Sequence, residues 1–241
     1  MDYKYTSLLL FKRDINEVDR IYAFYTLEEG KVQAVGRGVR KPNAKLAGNL
    51  EPLTQCEIYV SKRKGMGNIT GAIAVNNFST VKGDFVAVSR IFWALGYFDK
   101  LITQQEKDAR IYALLLEYWE AMEELSKQKG AEYKFDIITL GFLFRLAESL
   151  GYGIQMDHCV SCSAKILAGN TSYFSAQRGG TLCSVCATRE RRKVQSSDST
   201  IKLVKIFLRN KMGNLAKLEV GEKDVRELKM VWKELTDWIC G

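Results

Sequence analysis

The first 80 residues carry short runs of alternating apolar and polar positions that are rich in β-branched and aromatic side chains. Such runs predict β-strands, and turn signals such as Glu28-Glu29-Gly30 separate them. Five short antiparallel strands in about 80 residues fit a small closed barrel of the oligonucleotide-binding (OB) type, with an SH3-like barrel as the structural alternative. The predicted strands are Tyr3–Lys12, Ile21–Leu27, Lys31–Gly38, Gln55–Ser61 and Asn68–Phe78.

After these strands the apolar period lengthens to that of an α-helix. Ile111, Leu114, Leu115, Tyr118 and Met122 recur at helical spacing, and the same pattern returns further along the chain. We therefore predict an α+β protein, with an OB-type barrel over residues 1–79 and an α-helical domain over residues 80–241. The predicted helices are Phe85–Tyr97, Gln104–Lys129, Ile137–Leu150, Ile201–Leu208 and Glu222–Cys240.

Four of the six cysteines form two Cys-x2-Cys pairs inside the helical half of the chain. A two-residue gap lets both thiolates of one turn, or knuckle, face a single ion, and two knuckles complete the tetrahedral shell of structural zinc. Because protein atoms would fill all four positions, no place is left for water or substrate. We predict a structural Zn²⁺ in an inserted segment, residues 156–195, held by Cys159, Cys162, Cys183 and Cys186.

The remaining metal-ligating residue types are predicted to lie outside this site. His158 is the only histidine, and its direct neighbour Cys159 leaves it little freedom to reach the same ion. Cys56 and Cys240 have no partner at ligand spacing and are predicted to be ordinary thiols. Reduced thiols or two disulfides are the alternative for the four paired cysteines, and disulfides are disfavoured inside cells.

Positive charge is concentrated in two windows. The 36 Lys and Arg residues exceed the 28 Asp and Glu, which gives a net charge of +8. Segregated positive charge favours a polyanionic partner, most commonly nucleic acid, and a merely basic surface is the alternative. The first window, residues 30–50, contains no acid, and only Glu190 interrupts the second. The candidate nucleic-acid contacts are Lys31, Arg37, Arg40, Lys41 and Lys45 in the first window and Arg189, Arg191, Arg192 and Lys193 in the second.

Aromatic residues near the first window are candidates for stacking on exposed bases, and the barrel interior is the alternative position for each of them. Strand alternation places Tyr22 and Phe24 on one face and Tyr25 on the other. Tyr59 is the fourth candidate.

Several chemistries lack the residues they need. There is no phosphate-binding Gly-x4-Gly-Lys-Ser/Thr loop, and a single histidine leaves no Ser-His-Asp arrangement. A zinc deaminase needs His-x-Glu before its cysteines, which His158 does not supply. No apolar run approaches the roughly 18 residues of a membrane helix. We expect a soluble cytoplasmic protein with no membrane association, and not an enzyme.

Two motifs resemble those of a known family. Tyr25–Lys31, Val35–Lys41 and the stretch from Lys45 through Leu50-Glu51-Pro52-Leu53 are similar to the N-terminal barrel of the bacterial DNA repair and recombination mediator family RecO. Phe174-Ser175, Gly179-Gly180 and the second cysteine pair resemble the family's zinc segment. The order of barrel, helices, zinc knuckles and helices is also that of the family, so the resemblance covers the whole chain.

The resemblance implies an ATP-independent role at the nucleoid. Members bind single- and double-stranded DNA, anneal complementary strands, contact the single-strand binding protein, and with RecR help to load the RecA recombinase. The matching basic residues of the first window become DNA-contact candidates, and the four paired cysteines become zinc ligands. Three alternatives stay open: a zinc-containing RNA- or ribosome-associated protein, a peptide-binding scaffold, and a thiol-redox protein.

Overall fold

The computed structural model describes residues 1–44, 46–62, 65–102, 107–128 and 132–241. The chain forms two compact units, and neither is a single continuous segment. The barrel unit contains residues 1–85 and 102–123, and the helical unit contains residues 86–101 and 124–241. The domain boundary predicted after residue 79 stays a prediction.

Five strands close into a barrel in the order β1-β2-β3-β5-β4. All neighbouring pairs are antiparallel except β3 and β5, which run parallel where the barrel closes. This arrangement is that of an OB-type barrel, so the predicted fold class is confirmed. The strands are β1 Asp2–Asp14, β2 Arg20–Thr26, β3 Gly30–Gly36, β4 Thr54–Ser61 and β5 Gly67–Asn76.

The barrel interior follows the two-residue period of its strands. Alternate positions Tyr22 and Phe24 of β2 face the same buried core as Val32 and Ala34 of β3. The long strand β1 pairs with both β2 and β4, and its register shifts between Leu9 and Phe11. Such a bulge bends a strand, which is what β1 needs in order to join both sides of a closed sheet.

In the described part of the chain, the five long helices lie where the hydrophobic period predicted them. Three helices of four residues, α1, α5 and α7, were not predicted. Two predicted limits, Gln104 and Lys129, lie outside the described residues. A short 3₁₀ helix, Ala47–Asn49, lies between β3 and β4. The helices are α1 Ser79–Lys82, α2 Phe85–Leu101, α3 Ala109–Ser126, α4 Glu132–Ser149, α5 Ser184–Ala187, α6 Asp198–Arg209, α7 Met212–Leu215 and α8 Glu222–Cys240.

In the barrel unit, α3 supports the segment that leaves β5. The indole ring of Trp119 meets the ring of Phe78 edge-on, with centroids 5.7 Å apart. Phe78 has a φ of 45°, a left-handed conformation that the chain needs in order to turn into α1. The carboxylate of Glu123 then accepts hydrogen bonds from the backbone N–H groups of Thr80 (3.1 Å) and Val81 (2.8 Å).

The core of the helical unit is built around aromatic rings. Trp232 of α8 meets Tyr97 of α2 and Phe144 of α4 edge-on, at centroid distances of 5.4 and 5.6 Å. Phe207 of α6 packs on Phe144 at 6.1 Å. Edge-to-face contacts of this kind are each worth about 0.5–1.5 kcal/mol beyond the area that the rings bury.

A small sheet in the cysteine segment was not predicted. Three antiparallel strands, in the order β7-β6-β8, are only three or four residues long. They span Ser172–Ser175 (β6), Gly180–Cys183 (β7) and Val194–Ser196 (β8). Strands this short carry too few alternating positions to be recognised by hydrophobic period.

Within the described ranges, no helix combines the length and apolar character needed to cross a lipid bilayer.

Glycine at position 36 is required by close packing where β3 ends. A Cβ there would lie 2.7 Å from Cε2 of Tyr22 and 2.9 Å from Cγ1 of Val39. We expect Gly36→Ala to lower the free energy of unfolding by about 1–3 kcal/mol, because a buried ring must shift to admit the methyl group. Denaturant unfolding measures this. Gly48→Ala is the control, because no atom lies within 4 Å of its Cβ position. Equal effects of the two substitutions would contradict the prediction.

Candidate metal centre and nucleic-acid interface

The first knuckle is a tight turn whose backbone encloses Cys159. The backbone N–H of Cys159 donates to the carbonyl of Ala164 at 2.8 Å, and the N–H of Ser163 donates back to the carbonyl of Cys159 at 2.8 Å. Ser163 has a φ of 61°, which lets the chain reverse directly after Cys162. The turn therefore holds Cys159 and Cys162 on the same side.

The second knuckle starts at the end of β7. Cys183 is the last residue of that strand and Cys186 lies in the following turn of helix, α5. A hydrogen bond of 2.9 Å from the backbone N–H of Val160 to the carbonyl of Thr181 joins the first knuckle to β7. This bond brings the two knuckles together.

The four cysteines predicted as ligands form one cluster in which all Sγ atoms lie within 4.8 Å of one another. The Sγ atoms of Cys162 and Cys183 are 3.9 Å apart, and all four cysteines are free thiols. A tetrahedral zinc with Zn–S bonds near 2.3 Å requires sulfur atoms roughly 3.8 Å apart. The donor set and its spacing thus fit a tetrathiolate zinc site, and the same distances do not describe disulfides.

The backbone around the cluster favours a thiolate at Cys159. Burial by itself raises the pKa of this thiol, but backbone N–H groups of Cys183, Cys162 and Ser161 direct hydrogen bonds at its sulfur and lower the pKa to about 6. Metal ligation requires the thiolate form. The peptide groups around Cys159 therefore favour the form that binds a metal.

His158 and the two remaining cysteines lie apart from the cluster. His158 is exposed, and its ring nitrogens are not part of the group formed by the four Sγ atoms. Cys56 is buried inside the barrel, where its Sγ lies 3.3 Å from the Ser7 hydroxyl, and Cys240 is exposed at the end of α8.

Gly179 and Gly180 explain how the strand of the second knuckle fits beside the first. Gly179 has a φ of 73° and closes the turn between β6 and β7. A Cβ on Gly180 would lie 2.3 Å from the carbonyl oxygen of Gln155. Gln155 is hydrogen-bonded on both sides of Gly180, to Gly179 and to Thr181. A Gly-Gly pair directly before a ligand-bearing strand is the sequence signal for this close backbone approach.

Three residues of the first basic window share one turn beyond β3. Gly38, with a φ of 64°, donates its backbone N–H to the Asp19 carboxylate at 2.7 Å. That hydrogen bond holds the pKa of Asp19 below its usual range. Arg40 reaches the loop between β1 and β2, with Nη1 2.7 Å from the carbonyl of Asn16 and 3.4 Å from the Asp14 carboxylate.

The cations of this turn differ in how free they are. Arg37 is exposed, and its Nε donates to the side-chain oxygen of Asn68 at 2.8 Å. Lys41 is exposed, whereas Arg40 holds the turn against the neighbouring loop. We name Arg37, Arg40 and Lys41 the basic turn.

The other two residues of the first window are not part of the basic turn. Lys31 lies at the opposite end of β3, about 20 Å away along an extended strand, and its Nζ donates to the carbonyl of Ile102 at 3.0 Å. Lys45 lies outside the described residues. Lys31 and the turn lie in the same window of the sequence, but the length of β3 separates them in the structure.

The second basic window follows α5. Arg189, Arg191 and Arg192 are exposed. Lys193 is half-buried, donates to the carbonyl of Glu190 at 2.7 Å, and lies 5.8 Å from the ring centre of Tyr173. The acid within the window, Glu190, is paired with Arg178 at 3.0 Å.

Burial decides among the stacking candidates. Tyr22, Phe24 and Tyr25 are fully buried, so the alternative interpretation, the protein interior, holds for all three. Tyr59 keeps 37% of its surface exposed and lies 6.0 Å from Nζ of Lys4. A cavity of about 490 Å³ lies against β2 and β3, and its lining includes Gln33, Lys62 and Met66.

A closed OB-type barrel with a basic turn, in a chain that also carries a cluster of four cysteines able to hold a metal, defines a class of OB-barrel proteins with a cysteine-rich lobe. The family models of recombination protein O match both parts of the chain, the N-terminal model over residues 1–78 and the C-terminal model over residues 84–240. The chain belongs to the recombination protein O (RecO) family.

Curated relatives agree over nearly the full length. The chain is 26% identical over 229 residues to the DNA repair protein RecO of Dehalococcoides mccartyi, which covers 95% of this chain and 87% of the relative. It is 27% identical over 235 residues to the DNA repair protein RecO of Heliobacterium modesticaldum, covering 96% and 83% of the two chains. The protein of the same name from Desulforamulus reducens is 25% identical and covers 98% and 89%.

The cluster predicts that one ligand is enough to disturb the metal site. We expect Cys183→Ser to lose bound zinc and to destabilise the helical unit by roughly 4 kcal/mol or more, because loss of a structural metal is among the largest single-residue effects. Elemental analysis and thermal unfolding measure the two quantities. Cys240→Ser, at an exposed thiol, is the control. A Cys183→Ser protein with normal melting and zinc content would refute the site.

Proposed function

We propose that this protein is a recombination mediator in DNA repair that binds single- and double-stranded DNA and anneals complementary strands without ATP. In this proposal it acts at the nucleoid, on DNA coated with the single-strand binding protein, and with RecR it helps to load the RecA recombinase. The observation that carries the proposal is the basic turn at one end of an OB-type barrel, in a chain whose two parts match the two RecO domains. Residues 1–79 would be the DNA-binding domain and residues 80–241 the helical domain.

Annealing requires side chains that bind the phosphates of two strands, and it requires no covalent bond to be made or broken. Two strands repel each other through their phosphates, and cations that neutralise phosphate release condensed counterions. Exposed Arg37 and Lys41 can do this at the barrel, while Arg40 keeps their turn in place. Tyr59 is the exposed aromatic of the four stacking candidates.

The cysteine cluster is proposed to hold a structural Zn²⁺. Cys159, Cys162, Cys183 and Cys186 would fill all four positions of a tetrahedral ion and leave none open for a reacting group. The metal would fasten two knuckles that short strands alone hold weakly. The exposed arginines at 189, 191 and 192 would then be presented from a rigid segment as further DNA contacts.

The basic turn predicts a salt-dependent loss of binding on charge reversal. We expect Lys41→Glu to weaken binding of a single-stranded oligonucleotide about 10-fold at low salt and to flatten the dependence of log K on log salt by about one to two charges. Fluorescence anisotropy over a salt series measures both. Lys107→Glu, another exposed lysine of the barrel unit, is the control. Equal affinity of the Lys41 variant and the wild type would exclude the turn as a contact.

The mediator role predicts faster annealing of protein-coated strands. We expect the protein to accelerate pairing of complementary oligonucleotides covered by the cognate single-strand binding protein, without nucleotide and less so at high salt, because phosphate neutralisation is screened. Fluorescence quenching between labelled strands follows the rate. No acceleration at either salt by folded, zinc-loaded protein would refute this role. Tighter binding to RNA than to DNA of equal length would favour an RNA-associated protein, and salt-independent affinity would favour a peptide scaffold.

A further inference from the structure

A second row of cations lies on α6, in the helical unit. Lys202, Lys205 and Arg209 are spaced i, i+3 and i+7, which places them on one side of the helix. The other side is buried through residues such as Val204 and Phe207. Lys202 is exposed, and the side chains of Lys205 and Arg209 are 27% and 70% exposed. We name these three cations the α6 stripe.

One carboxylate, that of Asp157, forms ion pairs with two of the three cations. Asp157 lies in the segment that leads into the first knuckle, and its Oδ1 is 2.6 Å from Nζ of Lys205. Its Oδ2 is 3.4 Å from Nη2 of Arg209. The backbone of this segment is fixed, because the carbonyl of Asp157 accepts a hydrogen bond from the N–H of Ile166 at 3.0 Å. Asp157 is therefore held in place as an internal anion opposite the stripe.

We propose that the α6 stripe is a second phosphate-binding surface for single-stranded nucleic acid, and that Asp157 competes with phosphate for Lys205 and Arg209. The inference rests on the proposed DNA-binding function and extends it to the helical unit. A strand that binds here replaces the Asp157 carboxylate with its own phosphates.

The dimensions of the stripe favour a nucleic-acid strand. Seven residues of α-helix from Lys202 to Arg209 rise about 10.5 Å. At an axial rise of about 3.4 Å per phosphate, four consecutive phosphates of one DNA strand span about 10 Å. The stripe therefore offers three cations over the distance that about four phosphates span.

The surroundings of the stripe argue against a peptide partner. The apolar residues of α6 are buried or half-buried, so the helix offers no exposed apolar anchor. Peptide and protein interfaces depend on such anchors, whereas phosphate binding depends on charge.

Competition by Asp157 has a consequence for annealing. A protein that pairs two strands must hold each of them and then release the duplex. Phosphates on the α6 stripe can be displaced by a carboxylate that never leaves the site, so binding there is weakened in proportion to that competition. The stripe thus provides a weak, reversible contact in the helical unit, in addition to the basic turn in the barrel unit.

The test is removal of the competing charge, which gives a gain rather than a loss. We expect Asp157→Asn to bind a single-stranded oligonucleotide about 3- to 10-fold more tightly at low salt and to steepen the salt dependence by about one to two charges. Misfolding would not produce such a gain. Glu120→Gln is the matched control, because it makes the same change of net charge at an exposed position on α3. The double variant Lys202→Gln/Arg209→Gln should bind about 3- to 10-fold more weakly with an unchanged melting temperature.

Three results would overturn the inference in distinguishable ways. If Asp157→Asn binds no more tightly than Glu120→Gln, the α6 stripe is not a phosphate surface, and a loss of affinity in Lys41→Glu would still support the proposed function. If poly-glutamate displaces the oligonucleotide from Asp157→Asn as well as DNA of equal charge does, the stripe belongs to an acidic protein partner. If the wild type binds no oligonucleotide at any salt, both proposals fail together.

Discussion

Closure of the barrel between β3 and β5 is the constraint on which the candidate nucleic-acid interface depends. Among the described residues, two pairs form this parallel seam: Ala34 with Gly67 and Val35 with Asn68. Gly67 is required there, because a Cβ would lie 2.4 Å from Cγ1 of Val60. Directly beyond the seam the chain enters the basic turn, and Arg37 donates to Asn68 of the seam itself. The contact that closes the sheet therefore also orients the first cation of the turn.

The cysteine segment is held together by backbone hydrogen bonds rather than by a closed sheet. Its buried cluster of Cys159, Leu182 and Ala187 is too small to supply much hydrophobic stabilisation. Thr181 of the second knuckle's strand accepts a backbone hydrogen bond from the N–H of Val160 and donates its own N–H to the carbonyl of Gln155. These bonds position the sulfur atoms, and the metal we propose would lock them. Only His158 and Cys159 separate Asp157 from Val160. The hydrogen bond that fixes Val160 therefore also restricts the position of Asp157 opposite α6.

Hydrophobic period predicted the barrel strands and the long helices because each contributes several positions to a core. Tyr22 and Phe24 alternate into the barrel as expected, and the apolar face of α8 recurs through Val225, Leu228 and Trp232. Cysteine spacing predicted the cluster, because a two-residue gap has few structural uses other than ligation. The clustering of the four cysteines was therefore readable from the sequence.

Tertiary pairings were not readable from the same pattern. No local signal shows that Lys31 is bound to the carbonyl of Ile102, or that Asp157 faces cations nearly 50 residues later. Tyr25 alternates away from the barrel core and is buried all the same, which an isolated strand pattern does not show. These features depend on which surfaces meet, and a single sequence records that only indirectly.

The order of the chain through its two units constrains how the molecule is made. β1 pairs with β4 as far as Asp2 with Ser61, so the first residues synthesised wait for a partner about 60 residues later. Phe78 also waits, for Trp119 about 40 residues later, which is reached only after the chain has passed through α2 of the other unit. During synthesis on the ribosome, the ring of Phe78 thus lacks this partner until the chain has emerged as far as Trp119. The nascent protein is most exposed to aggregation over this interval, when α3 has yet to cover the barrel.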